Sequence, residues 1–172
     1  VVGERLNQLL KRIDNNIEAF RTLSQTGASF GQSIIGLRNA AAEAGLPVTD
    51  FVNLIADGRE TLAALFGSTT AGAREFAGLA NAFRRTNRDV LAPLGFTVEE
   101  VNDLLLTNLN ISRRTGIFQN QSVMDNIISS RQFAIELDRL AKLTGQQRSE
   151  LAKNIEQSLN NELGIPAEPL FR

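Results

Sequence analysis

The chain has no cysteine and no histidine among its 172 residues. Without cysteine there is no disulfide framework and no thiol nucleophile. Without histidine the usual zinc and iron ligand is missing, as are the commonest general base and every histidine-containing triad. Tryptophan and tyrosine are absent too, and 10 phenylalanines make up the whole aromatic complement. A core must therefore rest on Leu, Ile, Val, Ala and Phe. A basic excess, the usual mark of a nucleic-acid-binding domain, is missing at a net charge of −1. Long apolar runs are missing as well; those present are cut by Arg38, Glu43, Asp50 and Arg59, short of a membrane span. No signal-peptide pattern opens the chain, which starts Val1-Val2-Gly3 and reads as a fragment of a longer polypeptide or a processed product.

What is present is a globular composition. Hydrophobic residues make up 42% and charged residues 22%, unlike a disordered chain. The length suffices to bury a core without disulfides or metal.

Residues 4–24 read as one helix. Leu6, Leu10, Ile13, Ile17 and Phe20 recur at spacings of four, three, four and three, a heptad seam suited to an oligomer or partner contact. The same seam equally fits one amphipathic helix of a bundle. Gly27 and Gly31 mark a break or a close backbone approach, and Ser29 is a candidate N-cap for a helix running to Ala44. Gly45 fits the C′ position, and Pro47 cannot prolong the helix. A helix then follows from Val48 to about Asp57, Gly58 interrupts, and Leu62, Ala63, Leu65 and Phe66 form another short one. Gly67-Ser68-Thr69-Thr70 is a turn preceding a helix from about Ala71 to Arg85, where Phe76, Leu79, Ala80 and Phe83 form the apolar face. Gly72, Ala73, Ala77 and Gly78 allow that helix to pack closely. Arg84, Arg85 and Arg88 are expected at its end, complementing the helix dipole, with Val90 to Leu94 as a link.

Thr97 and Glu100 make a capping box for a helix from Val98 to about Arg114, which Gly116 ends. Residues 121–143 form a long helix with Val123, Ile127, Ser130, Ala134, Leu137 and Ala141 in a four-three rhythm, widened by Met124, Ile128 and Ile135. Gly145 ends it. The last helix runs from about Arg148 to Leu163, followed by an extended tail. No strand is expected, because β-branched alternation is missing throughout. The fold class is all-α: an elongated multi-helix assembly with helical hairpins and a candidate coiled-coil helix at the N-terminal end. The expected organisation is an amphipathic helix over 1–26, a helical hairpin region over 29–116, a second hairpin over 120–164 and an extended tail over 165–172.

Gly45, Gly95 and Gly145 stand 50 residues apart, and an acid follows each five residues later: Asp50, Glu100 and Glu150. The pattern fits either a repeated module or the ordinary grammar of helical hairpins.

Candidate chemistry is sparse. Glu99 and Glu100 pair, but in the first turn of a helix, where acids serve the cap and dipole. Residues 140–155 have the outline of a helix-turn-helix reader, yet only Arg148 and Lys153 offer cations on its second helix, so a plain hairpin is the better reading. The glycine stretches at 27–31 and 67–72 lack the lysine and strand context of a phosphate loop. No catalytic, metal-binding or cofactor-binding set emerges, and no cofactor is expected.

The stretch Ala40-Ala-Ala-Glu-Ala-Gly-Leu-Pro-Val-Thr-Asp-Phe-Val-Asn-Leu-Ile55, then 60–67 and 73–77, resembles tail tape measure proteins of tailed bacteriophages. So does Leu91-Ala-Pro-Leu-Gly-Phe-Thr-Val-Glu-Glu-Val-Asn-Asp-Leu-Leu105, and more loosely 140–155. The resemblance covers residues 40 to about 116 and does not reach 1–30. It implies a mostly helical structural virion protein that fills the tail and leaves during DNA ejection; an enzyme would need a site built only from Asp, Glu, Lys, Arg and Ser/Thr and is not expected. The resemblance also implies a homo-oligomer of three or six copies, contacts with other tail or capsid proteins, and only transient contact with host membrane or DNA. The expected location is the virion, in the tail lumen or the capsid interior. Internal ejection proteins of short-tailed phages are similar in composition and stand as an alternative. A helical nucleic-acid-binding or regulatory domain using Arg84, Arg85, Arg113, Arg114 and Arg148 is the competing class.

Overall fold

The computed structural model describes residues 2–8, 10, 11, 18, 21 and 34–162. Those at 2–8, 10, 11, 18 and 21 are helical. Seven α-helices follow among the described residues: α1 (Ile34–Ala44), α2 (Val48–Asp57), α3 (Arg59–Phe66), α4 (Thr69–Leu91), α5 (Val98–Arg114), α6 (Val123–Thr144) and α7 (Arg148–Glu162). A 3₁₀ turn, Phe118–Asn120, stands between α5 and α6, and no strand occurs among the described residues. The fold is all-α. Ser29 and the tail over 165–172 lie outside the described residues.

Helix ends follow local chemistry. Gly45, Gly95 and Gly145 all take left-handed φ, at 73°, 73° and 71°. After α1 the Leu46 N–H reaches the Ala41 carbonyl at 2.9 Å and the Gly45 N–H reaches Ala42, a Schellman turn. The end of α4 repeats it, with Phe96 bonded to Leu91 and Gly95 to Ala92. Gly145 makes the simpler single bond to Ala141. In all three cases the next helix begins three residues after the glycine, at Val48, Val98 and Arg148. The 50-residue echo is therefore a repeated turn, closest between its first two copies. At the start of α5 the Thr97 hydroxyl accepts the Glu100 N–H and the Glu100 carboxylate accepts the Thr97 N–H at 2.9 Å. Ser122 and Asp125 make the same reciprocal cap for α6.

Helix α4 is longer than its sequence suggests. It runs through Arg84 and Arg85 to Leu91 instead of stopping near Arg85. Asn87 and Leu91 are buried four and eight residues beyond the buried Phe83, so the packed face continues past the polar run. Neither glycine nor proline interrupts residues 79–92. Arg84 and Arg85 are thus within the helix, and Arg88 alone of the three occupies its last turn.

The chain divides into two compact units, Val1–Phe83 and Arg84–Arg172. In the first, α1 packs on α2 and α2 on α3. Its core is Phe51, Phe76, Phe83, Leu37, Ile55 and Leu62, all fully buried, filled in by Ala40, Ala41, Ala44, Ala73, Ala77 and Ala80. Gly72 sits against Leu62 so closely that a Cβ there would lie 2.7 Å from the Leu62 Cβ, whereas one at Gly78 would meet nothing nearer than 3.8 Å. Close packing therefore depends on Gly72 and not on Gly78.

In the second unit α5, α6 and α7 touch pairwise. Its core is of another kind. Leu104, Leu105, Leu109, Ile127 and Leu137 share the interior with Asn87, Asn102, Asn108, Ser112, Asn126, Ser130 and Asp138. Phe96, Phe118 and Phe133 are only half-buried. Asn108 donates across to Ser130 at 2.9 Å and to Ser129 at 3.0 Å. Full burial of a Phe, Leu or Ile side chain contributes about 1.5–3 kcal/mol, against about 0.5–1.5 kcal/mol net for a hydrogen bond. Of the residues expected to widen the α6 apolar face, Met124 and Ile128 are 56% and 49% exposed and Ile135 is half-buried, and Val123, the first of the expected rhythm, is 63% exposed, because α5 and α7 cover only the stripe through Ile127, Ser130, Ala134 and Leu137.

Candidate functional site

Among the described residues, two features bear most on function beyond the helix caps and cores. One is the seam near the N-terminal end. Leu6 and Leu10 lie on helical backbone and are 57% and 50% exposed, with Val2 beside them at 78%. Ile13, Ile17 and Phe20, which continue the seam in sequence, lie outside the described residues. Side chains this apolar, spaced at helical intervals and left in water, have the composition of a helix-pairing surface.

The other is an arginine-centred cluster in the second unit. Arg148, at the first turn of α7, turns its guanidinium inward, and its side chain is 17% exposed. One nitrogen donates to the Leu94 carbonyl at 3.0 Å and to the Asp138 carboxylate at 3.2 Å. The other donates to the Gly95 carbonyl at 3.1 Å and to Glu100 at 3.3 Å. The guanidinium carbon also stacks 3.9 Å over the Phe96 ring. Lys142 adds a second cation on Asp138 at 2.7 Å. A cleft of about 330 Å³ opens beside this cluster, lined by Glu100, Asp138, Lys142, Gln147, Arg148 and Ser149.

The cluster satisfies itself. Each carboxylate faces a cation or a backbone N–H, and each terminal guanidinium nitrogen donates to two acceptors of its own chain. Arg148 therefore does not face outward as a base or phosphate reader on the second helix of a hairpin would. Lys153 stays exposed. Arg113 and Arg114 both bond Asn110 at 3.2 Å, in the last turn of α5 where cations suit the dipole. Arg84 is partly sequestered too, and burial lowers the pKa of its guanidinium.

Glu99 and Glu100 stand in the first turn of α5, as expected, and Glu100 divides its carboxylate between the cap and Arg148. Among the described residues no group of three acids is placed to hold a metal ion. Among them, too, no helix is long and apolar enough to cross a membrane. The Arg148 cluster had no signal in sequence, since its partners are up to 54 residues away. No protein family matches the chain, and no curated protein or solved structure is significantly similar to it.

Proposed function

We propose that this chain is a structural segment of a tailed-phage virion, a tape-measure-like component that fills the tail and is released during DNA ejection. The observation that carries the reading is the row Val2, Leu6 and Leu10, apolar, helical and exposed at the start of a heptad pattern. Such a row suits pairing between copies of one chain. The phrases at 40–55 and 91–105, which resemble tape measure proteins, support the same reading.

The role is mechanical, with no catalysed step. Seams between helices hold copies together in the assembled particle. During ejection the helices, separated by glycine turns, unfold and the chain threads through a narrow tube. Sequestration of Arg148 and Arg84 weighs against a polyanion-binding role.

Mass spectrometry of tailed particles purified from the host that carries this coding sequence tests the proposal. Peptides of this chain are expected in full particles and lost from particles emptied by triggered ejection. Their absence from full particles would refute it.

A further inference from the structure

The two units differ in what fills them. The first is sealed by Phe51, Phe76, Phe83 and Leu62, and Thr61 is the buried polar side chain among its described residues. The second alternates leucines with buried amides and hydroxyls, chiefly Asn102, Asn108, Asn126 and Ser130, and buries no phenylalanine among its described residues. Apolar burial contributes more free energy per side chain than a satisfied hydrogen bond, which only replaces one made to water. Hydrogen bonds also demand geometry: Asn108 reaches from α5 to Ser129 and Ser130 of α6, so a small separation of those helices loses both bonds together, while Asn102 and Asn126 donate to the Val98 and Ser122 carbonyls at the starts of their own helices.

Arg148 concentrates this dependence. Its guanidinium joins the turn after α4 through Leu94 and Gly95, the start of α5 through Glu100, and α6 through Asp138. When α7 moves away, two carboxylates and two carbonyls lose their common donor at once. Such a group acts as a latch: its contacts are made together or not at all.

We infer that the chain opens in two steps, Arg84–Arg172 before Val1–Phe83, with Arg148 latching the unit that opens first. The order follows from packing alone. It suits a protein that must thread through a tube, but virion composition and opening order are measured separately, and either result stands without the other.

The test is hydrogen exchange of the intact chain along a urea series, read by mass spectrometry of peptides. Amides of Val101–Leu109 and Ile127–Leu137 should lose protection at lower urea than those of Phe51–Ile55 and Ala73–Phe83. Arg148→Met should move the first midpoint down and leave the second in place. If the variant's second unit is already open in water, the first should remain protected. One common midpoint, earlier loss in the first unit, or an equal shift of both midpoints in Arg148→Met would overturn the inference.

Discussion

The guanidinium of Arg148 lies 3.9 Å above the ring of Phe96, the residue directly after the glycine that ends α4. The same guanidinium bonds the Leu94 and Gly95 carbonyls, so one side chain covers both the face and the backbone of that turn. Arg148→Ala would leave Asp138, which is 10% exposed, without its inward partner. Loss of one member of a buried charge pair costs about 3–5 kcal/mol, and a value near the lower end is expected here because Lys142 still reaches Asp138. Arg148→Lys should recover little of it, since an ammonium can neither stack as a plane nor span two carbonyls and two carboxylates. Urea unfolding followed by circular dichroism measures both.

Gly72 and Gly78 occupy the same helix and should respond oppositely to alanine. At Gly72 the new methyl would meet the Leu62 Cβ at 2.7 Å and its carbonyl oxygen at 2.8 Å, so backbone must move. Overpacking of this kind costs about 1–3 kcal/mol. At Gly78 the nearest atom is a Glu43 side-chain oxygen at 3.8 Å. There Gly78→Ala should stabilise by about 0.5–1 kcal/mol through helix propensity. Thermal melting of the two variants separates these effects by sign.

Helix ends were legible in the sequence where their chemistry is local, though the end of α4 was not. A glycine at C′, an apolar residue after it and a capping pair three residues apart are all read within one turn, as at Gly45 and Thr97–Glu100. What escaped reading has two physical origins. Some signals were degenerate: Ser122 caps with Asp125, a shorter acid than the usual Glu, and Asn87 hides a buried position inside the polar run Arg84-Arg85-Thr86-Asn87-Arg88. Others were non-local: Asn108 finds Ser130 and Arg148 finds Glu100 only after three helices have packed. The apolar period predicts where leucines go inward, and it carries no information about which amides go with them. The helical backbone at Leu6 and Leu10 was legible for the same local reason, and both side chains are exposed.

Asp125 should titrate below the ordinary aspartate range. The Ser122 hydroxyl, donating at 2.7 Å, and the Ser122 backbone N–H both stabilise its charged form. A folded pKa below the unfolded value of about 3.9 means that the cap supports the helix above that pH. The support is lost as pH falls through the lower, folded value. Carbon-13 NMR of the carboxyl group should place the inflection below the unfolded aspartate value, and Ser122→Ala should return it towards that value.

The account rests most on copies of the chain meeting through Leu6 and Leu10. Light scattering of the intact chain across a dilution series tests this directly, against a single-chain mass of 18.8 kDa. The account predicts a stable particle of three or six copies, reduced to one copy when Leu6→Glu and Leu10→Glu are combined. A single-chain mass at every concentration, or an oligomer indifferent to the paired substitution, would contradict it.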